Sequence, residues 1–318
     1  MGFEDIVGHA SQKMILSSML ARQRIPHALL FVGQDGIGKK KVAIEFARHA
    51  LCEGRTACGS CASCRMVEKA VHPDLIIMGG REESIGIESS RVLRGEVHLP
   101  PFRSKNRFIL IDHAETITDE ASNALLKTLE EPPAYMVFLL ISAEERRIPP
   151  TVRSRCVRIA FSPLGKEEIR RFFEDVYGLN EEEARTLSLI SLGSIGLGLF
   201  WLKGENLRLR KELSLVLTGS AGSVEITALS ERISEDRRKT SIFLNFLLSF
   251  FRDLYAMNQG AHASLLINRD LLPPPKRLDD GAILSAMELT WEALGRLSMN
   301  VNRWLLVEHL LYTLRRLF

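Results

Sequence analysis

Along the first half of the chain, short apolar runs alternate with segments that carry apolar residues at helical spacing. The runs have the length of buried strands, and the segments around Glu88–His98 and Asp119–Glu130 are typical of amphipathic helices. Continuous apolar strands separated by helices predict a parallel sheet that is covered on both faces. The predicted strands are His27–Gly33, Asp74–Met78, Arg107–Asp112, Met136–Ser142 and Cys156–Phe161.

After Ser162–Pro163 the pattern becomes helical and stays helical to the end of the chain. A compact group of helical segments ends near Gly204, and the later part is interrupted at Asn268–Gly281, where three prolines forbid a helix. We therefore expect three domains: an α/β domain over residues 1–162, a small helical domain over residues 163–204 and an all-helical domain over residues 205–318.

The composition is that of an ordinary globular protein, with 46% hydrophobic and 25% charged residues among 318 and a net charge of +3. This weak positive charge permits contact with nucleic acid without indicating a dedicated basic binder. We expect no secretory signal, because acidic residues occur early and no apolar stretch accompanies them. The most apolar run, Ser241–Phe251, is too short to span a membrane and is expected to be a buried helix. A cytoplasmic protein is the expectation.

The stretch GQDGIGKKK (Gly33–Lys41) nearly matches a phosphate-binding loop, whose pattern is G-x-x-x-x-G-K followed by Ser or Thr. It lies between a predicted strand and a predicted helix, as such a loop requires. Its backbone N–H groups can cradle phosphates, and Lys39 can neutralise the outer ones. The next residue, Lys40, places a positive charge where a hydroxyl group would hold magnesium.

A second acidic position, Asp112, ends another apolar strand in the stretch FILIDHAE. In ATPases with this loop, such an aspartate is the usual second partner of magnesium. Working versions place a glutamate next, but here the next residue is His113, and we expect Glu115 to cap or pair instead. The candidate nucleotide site, in degenerate form, consists of Gly33, Gly36, Gly38, Lys39, Lys40 and Asp112.

Four of the five cysteines lie within thirteen residues, at Cys52, Cys58, Cys61 and Cys64. Four thiolates suit tetrahedral zinc with no open position, which is the ligand set of a structural site. Their surroundings are rich in Gly and Ser, unlike the surroundings of cysteines in an apolar core. A redox C-x-x-C pair is the alternative, but two overlapping units favour a closed metal site.

The last predicted strand is preceded by the stretch PPTVRSRCVRI, in which Arg155 stands beside Ser154 and Cys156. An arginine at the edge of a nucleotide-binding domain can reach the phosphates of a neighbouring subunit, as an arginine finger supplied in trans. The alternative is a solvated surface arginine, and the chemistry of the residue alone does not decide between the two.

Five stretches together carry a resemblance to the bacterial clamp-loader subunits of DNA polymerase III. The combination of ALLKTLEEPP with VRSRC is highly specific, whereas the Gly-rich loop alone would not be. The stretches are GQDGIGKKK, the four-cysteine insert, HPDLIIM, ALLKTLEEPP (Ala124–Pro133) and VRSRC (Val152–Cys156). The resemblance covers the first two thirds of the chain in detail and the last third only in its helical character.

The resemblance implies an AAA+ fold with a P-loop domain, a small helical lid and a helical collar that holds a ring of five subunits. Motor subunits of this family carry a hydroxyl residue after the loop lysine, Asp-Glu on the second strand and an arginine in the lid. This sequence departs from them at Lys40, at His113 and in the lid segment Gly193–Phe200, which has no arginine. It therefore resembles the stator of the ring, which does not hydrolyse ATP.

The resemblance also implies ligands and partners. Zinc is expected on the four cysteines, and ATP binding without hydrolysis remains possible at the degenerate loop. Arg155 is expected to serve the ATP of an adjacent motor subunit. The implied partners are the gamma/tau motor subunits, the delta subunit, primer-template DNA and, weakly or indirectly, the sliding clamp.

Two other classes of protein stay open at this point. A motor subunit of the same fold is supported by Lys39 and Asp112. A free-standing zinc-containing nucleic-acid-binding protein is supported by the pI of about 8.6 and the cysteine cluster. The second of these lacks a visible stripe of basic and aromatic residues, since aromatics make up only 7% of the chain.

Overall fold

The structure of the protein, a computed structural model, describes residues 2–80, 95–217, 223–272, 278–297, 299 and 301–318. The chain folds into two compact units. The first comprises Met1–Tyr177 with Ser191–Leu197, and the second comprises Gly178–Ile190 with Gly198–Phe318. The division into three domains at residues 162 and 204 stays a prediction.

The first unit is built on a parallel sheet of five strands in the order β2-β3-β4-β1-β5. Each predicted strand is present, with ends within one or two residues of the prediction. Apart from β2 and β5 at the two edges, the strands are buried along their whole length, as their continuous apolar sequences predict. The strands are β1 (Ala28–Val32), β2 (Leu75–Met78), β3 (Arg107–Ile111), β4 (Met136–Ser142) and β5 (Val157–Ala160).

Apolar cores lie on both faces of the sheet, because successive side chains of a strand point to opposite faces. Phe31 of β1 packs in one core with Phe46 and Phe108. Leu30, its neighbour in β1, packs in the other core with Phe138. The helices of this unit are α1 (Ala10–Ala21), α2 (Lys39–Leu51), α3 (Ala62–Glu68), α4 (Asp119–Glu130), α5 (Pro150–Arg153) and α6 (Lys166–Tyr177).

Helix α4 coincides with the segment predicted as Asp119–Glu130. Thr118 caps it, because its side chain accepts the N–H of Ala121. The other predicted helix, around Glu88–His98, lies mostly outside the described residues, and residues 95–97 are helical.

The second unit is helical throughout its described residues, in agreement with the sequence pattern. The apolar run Ser241–Phe251 lies inside a long helix whose side chains Phe243, Leu247 and Phe251 are buried, so the predicted buried helix is confirmed. This long helix is α11 (Arg237–Asn258), and the other helices after α6 are α7 (Glu181–Ile190), α8 (Ile195–Leu202, which begins in the first unit), α9 (Asn206–Leu217), α10 (Ser223–Ile233), α12 (Asp280–Arg296) and α13 (Arg303–Leu317). None of the helices in the described ranges has the length and apolar character that a membrane span needs.

A buried ionic network orders the second unit. The guanidinium of Arg210, about 1% exposed, donates to both carboxylate oxygens of Asp270 and to Asn268. Asp253 is fully buried and accepts the backbone N–H groups of Ile267 and Asn268. Because buried charges are tolerated only when they are paired and hydrogen-bonded, these contacts fix the chain that follows α11.

The motif HPDLIIM fixes a loop in the first unit. The carboxylate of Asp74 is fully buried and accepts three backbone N–H groups, from Phe102 at 2.6 Å, Arg103 at 2.9 Å and Ser104 at 3.0 Å. The N–H of Asp74 donates in turn to Nδ1 of His72, at 3.0 Å. One carboxylate placed before β2 therefore organises the chain that leads into β3.

Replacing Asp74 by alanine leaves three backbone donors without an acceptor. We expect the free energy of unfolding, measured by urea denaturation, to fall by about 3 kcal/mol. Asp74→Asn keeps one acceptor oxygen and should lose less. Asp175→Ala, which removes an exposed carboxylate on α6, is the control and should change stability by less than about 0.5 kcal/mol. Wild-type stability in Asp74→Ala would refute this account of the loop.

Candidate nucleotide site and metal centre

The Gly-rich loop joins β1 to α2, as the sequence predicts, and its glycines are needed for steric reasons. Gly33 and Gly36 have φ values of 150° and 73°. A Cβ atom on Gly33 would lie 2.4 Å from the carbonyl oxygen of Phe161, and one on Gly36 would lie 2.5 Å from Oγ of Ser194. Gly38, the residue before α2, has a φ of 110°. The loop is therefore held in a conformation that other residues would not adopt.

The loop lysine is directed into the loop itself. Lys39 is about 4% exposed, and its Nζ donates to the carbonyl oxygens of Gly33 at 2.6 Å and Gln34 at 2.8 Å. The side chain thus already neutralises the carbonyl dipoles of the loop. A phosphate group would have to compete with these bonds for the ammonium group.

The next lysine forms an ion pair with the aspartate that follows β3. Nζ of Lys40 lies 3.0 Å from Oδ2 of Asp112, and the Asp112 side chain is about 13% exposed. The other carboxylate oxygen accepts the N–H of His113 at 3.1 Å. The two residues meet because parallel strands bring their carboxyl ends to one edge of the sheet. The ammonium group of Lys40 therefore binds the carboxylate of Asp112, which would be the ligand of a magnesium ion.

The two residues near Asp112 that could orient water are paired with each other. Nδ1 of His113 lies 3.2 Å from Oε1 of Glu115, and the same oxygen accepts the N–H of Ala143 at 3.4 Å. Burial would raise the pKa of Glu115, but hydrogen bonds, first of all from His113, outweigh it and lower the pKa to about 2. The pairing expected for Glu115 is confirmed, and its carboxylate remains ionised but engaged.

The segment Gly193–Phe200, which the sequence analysis noted only for its lack of arginine, contacts the loop through one side-chain hydroxyl group and one backbone N–H. Oγ of Ser194 donates to the carbonyl oxygen of Asp35 at 2.7 Å, and the N–H of Gly196 donates to that of Gly36 at 2.9 Å. A Cβ atom on Gly196 would lie 2.7 Å from Cα of Gly36. Gly36 and Gly196 were the signal in the sequence that could have revealed this contact, because so close an approach of two backbones leaves no space for a side chain.

Arg155 lies between α5 and β5, where the sequence places it, and its side chain is about 35% exposed. One guanidinium nitrogen lies 2.9 Å from Oε1 of Glu130, and the other donates to the carbonyl oxygen of Thr151 at 2.9 Å. Glu130 belongs to the stretch ALLKTLEEPP, so this ion pair joins two of the sequence motifs. The partner was not predicted, because the two residues are twenty-five positions apart.

The structure does not bring Arg155 together with the Gly-rich loop. Arg155 precedes β5, whereas the loop and Asp112 follow β1 and β3. Since all five strands are parallel, the arginine lies at the amino-terminal edge of the sheet and the loop at the carboxyl-terminal edge. A strand of four residues such as β5 is about 13 Å long. This arginine therefore does not serve the loop of its own chain.

The four clustered cysteines converge on one point. Cys52 directly follows α2, and Cys61 precedes α3. Sγ of Cys52 lies 3.7 Å from Sγ of Cys58 and 3.9 Å from Sγ of Cys61, and the ligand atoms of all four cysteines, including Cys64, lie within 4.8 Å of one another. A tetrahedral Zn–S₄ centre with bonds of about 2.3 Å has S–S edges of about 3.8 Å. The cluster fits a metal ion of the zinc type.

Hydrogen bonds favour the thiolate form of Cys58 at this cluster, whereas burial opposes a thiolate at Cys64 unless a cation accompanies it. The N–H of Cys61 donates to Sγ of Cys58 at 3.4 Å, and the N–H of Cys64 donates to Sγ of Cys61 at 3.4 Å. Hydrogen bonds from Ser60, and then from Cys61, lower the pKa of Cys58 to about 6. Burial raises the pKa of Cys64 to about 12, so this thiol needs a compensating cation to bind as a thiolate.

Comparisons with known proteins indicate the family of this chain. The family described as DNA polymerase III, delta subunit, matches residues 8–165. The tau subunit of DNA polymerase III from Salmonella typhimurium is 38% identical over 201 residues, and the delta prime subunit from Escherichia coli is 26% identical over 255 residues. The chain belongs to the DNA polymerase III clamp-loader family. The match covers 61% of this chain and 31% of the tau subunit, but 79% of this chain and 75% of the delta prime subunit.

The fold of this clamp-loader chain is similar to that of a solved relative. A DNA polymerase III gamma subunit-related protein from Thermotoga maritima superposes with a TM-score of 0.55 at 18% identity, covering 96% of this chain and 99% of that one. The parallel sheet with helices on both faces and the helical C-terminal part confirm the expected AAA+ fold. By length, the chain spans about a third of the tau relative that it matches.

The cysteine cluster leads to a prediction of metal content. Elemental analysis of protein purified without chelators should find about one zinc per chain. The double variant Cys58→Ser, Cys61→Ser should lose the metal and loosen the segment between α2 and α3, while the sheet stays folded. Cys156→Ser is the matched control, because this cysteine lies outside the cluster and should leave the metal content unchanged. Metal-free wild-type protein would contradict the prediction.

The Lys40–Asp112 ion pair leads to a prediction about magnesium. In the wild-type chain, magnesium should not change the thermal stabilisation that ATP provides, because an ammonium group occupies the metal position. Lys40→Thr frees Asp112 and restores a hydroxyl group, so magnesium should then add stabilisation, up to about 2.7 kcal/mol at a ligand concentration about 100 times the Kd.

Lys41→Thr is the control for this experiment, since Lys41 is exposed, adjacent and identical in charge. It should respond to ATP and magnesium as the wild type does. Equal magnesium dependence in the wild type and Lys40→Thr would show that the ion pair does not exclude the metal.

Proposed function

We propose that this chain is the delta prime subunit of a bacterial clamp loader, a stator that does not hydrolyse ATP. The observation that carries the proposal is the 3.0 Å ion pair between Lys40 and Asp112. Phosphoryl transfer in P-loop proteins depends on a magnesium ion that bridges the phosphates and is held by a loop hydroxyl and an aspartate. Here the hydroxyl is absent, and the aspartate is paired with the ammonium group of Lys40.

Two further features support the absence of hydrolysis. The residue next to Asp112 is His113 instead of a glutamate, and Oε1 of Glu115, two residues further on, is paired with His113. The segment that contacts the loop, beginning at Ser194, offers a serine hydroxyl group and a backbone N–H in place of an arginine. Because catalysis of phosphoryl transfer rests on positioning and charge stabilisation, the combined losses leave the reaction without its main contributions.

Arg155 is the group through which a chain without ATPase activity would take part in a neighbour's reaction. It lies at the edge of the sheet opposite to its own loop, and its guanidinium is partly exposed and oriented by Glu130. A guanidinium presented across a subunit boundary stabilises the charge that develops on the transferred phosphate. We assign Arg155 to this trans-acting role.

The proposed assembly follows from the family. The partners are the gamma/tau motor subunits and the delta subunit in a ring of five, with primer-template DNA and a sliding clamp as the objects of the complex. The chain would act in the cytoplasm as part of the DNA polymerase III holoenzyme. Zinc on the four cysteines would have a structural role, because four thiolates leave no open position for substrate.

A motor subunit is the second candidate, and specific observations favour it. Lys39 and Asp112 are retained, and the tau relative is more similar in sequence than the delta prime relative over the part that it matches. ATP turnover by the isolated chain separates the two candidates. A rate of about 1 per second or more, typical of enzymes, would identify a motor.

The role of Arg155 is tested in a reconstituted ring. With gamma/tau and delta subunits, Arg155→Ala should assemble normally but lose DNA- and clamp-stimulated ATP hydrolysis at one of the motor sites, and clamp loading should fall with it. Arg155→Lys should rescue poorly, because a point charge does not reproduce the planar guanidinium fork. The isolated variant should fold as the wild type does, since its ion pair is partly exposed.

Arg158→Ala provides the matched control. Arg158 is also an exposed arginine paired with a glutamate, Glu145, and it lies three residues further along the chain. Its loss should leave ATP hydrolysis and loading unchanged. If Arg155→Ala loads clamps at the wild-type rate, Arg155 is a surface residue without a trans-acting role, even though the family assignment stands.

A further inference from the structure

A basic cleft of about 1000 Å³ lies in the first unit, away from the nucleotide loop. It is bounded by the end of α1, by the residues Cys52–Arg55 that follow α2 and by the loop before β3. Four cationic side chains line it: Arg24, Arg55, Arg103 and Lys105. Among the described residues that line the cleft, the single carboxylate is that of Glu53.

The four cations are available to a ligand. Arg24, Arg55, Arg103 and Lys105 are all exposed. Within the described residues, no carboxylate lies at ion-pair distance from any of them. Most other arginines near the sheet, such as Arg48, Arg107 and Arg158, are paired with glutamates. Among the residues that the structure describes, the cleft therefore concentrates cations that form no ion pair, in a protein whose net charge is only +3.

The backbone that carries these cations is fixed before any ligand binds. The buried carboxylate of Asp74 holds the N–H groups of Arg103 and its neighbours. The N–H of Arg55 donates to the carbonyl oxygen of Cys52 at 3.0 Å, within the cysteine module. The N–H of Arg24 donates to the carbonyl oxygen of Met19 at 3.1 Å, in the turn that ends α1. Preorganised groups lower the ordering cost of binding.

We propose that this cleft binds the phosphodiester backbone of nucleic acid. Guanidinium groups form paired hydrogen bonds with phosphate oxygens, and three of the four cations are arginines. Ser17, Ser63, Ser104 and Asn106 add side-chain donors to the lining. A phosphodiester accepts hydrogen bonds and donates none, which suits a lining with four cations and one carboxylate. A peptide would bring N–H donors that need more acceptors.

Binding at this cleft should depend on phosphates rather than on bases. The aromatic side chain in the lining is that of His49, and its ring stacks on Phe3 with centroids 4.8 Å apart. It offers no free platform on which bases could stack, so sequence preference should be weak. Arg24 precedes β1 and Lys105 precedes β3, at the edge of the sheet opposite to the nucleotide loop. The cleft therefore shares none of these cations with the Gly-rich loop.

The test uses the full chain and fluorescein-labelled oligonucleotides of about 30 nucleotides. Fluorescence anisotropy over a salt series gives the slope of log K against log salt, which is about 0.7 per phosphate contact on single strands and about 0.9 on duplex. The variant Arg24→Gln, Arg103→Gln should lower the magnitude of this slope by the amount expected for about two phosphate contacts, and it should weaken binding at low salt. Single-stranded, duplex and primed oligonucleotides show which form supplies the backbone.

The control variant Arg146→Gln, Lys166→Gln removes two exposed cations of the same unit outside the cleft and makes the same change in net charge. Its salt slope should equal that of the wild type. Equal losses in both variants would assign the binding to diffuse charge and overturn the proposal. The proposal would also be overturned if the chain bound poly-glutamate but no oligonucleotide, and if this binding depended on Arg24 and Arg103.

A second measurement does not rely on variants. Phenylglyoxal modifies accessible arginines, and mass spectrometry locates the modified residues. A bound oligonucleotide should protect Arg24, Arg55 and Arg103 but leave Arg146 reactive. Uniform reactivity in the presence of saturating oligonucleotide would also overturn the proposal.

Discussion

The direction of the five strands is the constraint on which the rest of the first unit depends. Because all are parallel, residues that follow strands meet at one edge of the sheet and residues that precede them meet at the other. The Gly-rich loop and Asp112 lie at the first edge, whereas Arg155 and the basic cleft lie at the second. In a chain built in this way, the length of the strands separates the Gly-rich loop from Arg155 and from the cleft.

At the first edge, two consecutive lysines are bound by groups of the protein itself. Lys40 neutralises Asp112, while the neighbouring Lys39 satisfies carbonyl groups of the loop. The charges that a motor subunit would direct at phosphate and magnesium are thus balanced within the protein. In the proposed stator, the conformation of the loop would not depend on the chemical state of a nucleotide, and the residues that serve a neighbour would stay in place throughout the cycle.

The sequence was most informative where chemistry and spacing agree within a short stretch. The four cysteines lie within thirteen residues, so their convergence follows from local geometry. The five strands follow from apolar runs that only a sheet buried on both faces explains. By contrast, the partner of Arg155 is Glu130, twenty-five residues away, and nothing in either stretch identifies the other. The acceptor role of Asp74 toward residues 102–104 was hidden for the same reason.

By itself, the sequence determined the strands, the clustering of four cysteines, the helical nature of the second half and the absence of a hydroxyl residue after Lys39. These depend on the identity and local order of residues. Only the tertiary structure decided that Lys40 occupies the carboxylate of Asp112 and that four cations between residues 24 and 105 line one cleft. Such contacts join distant parts of the chain, and their geometry is fixed by the strand order and by packing, which a linear pattern does not contain.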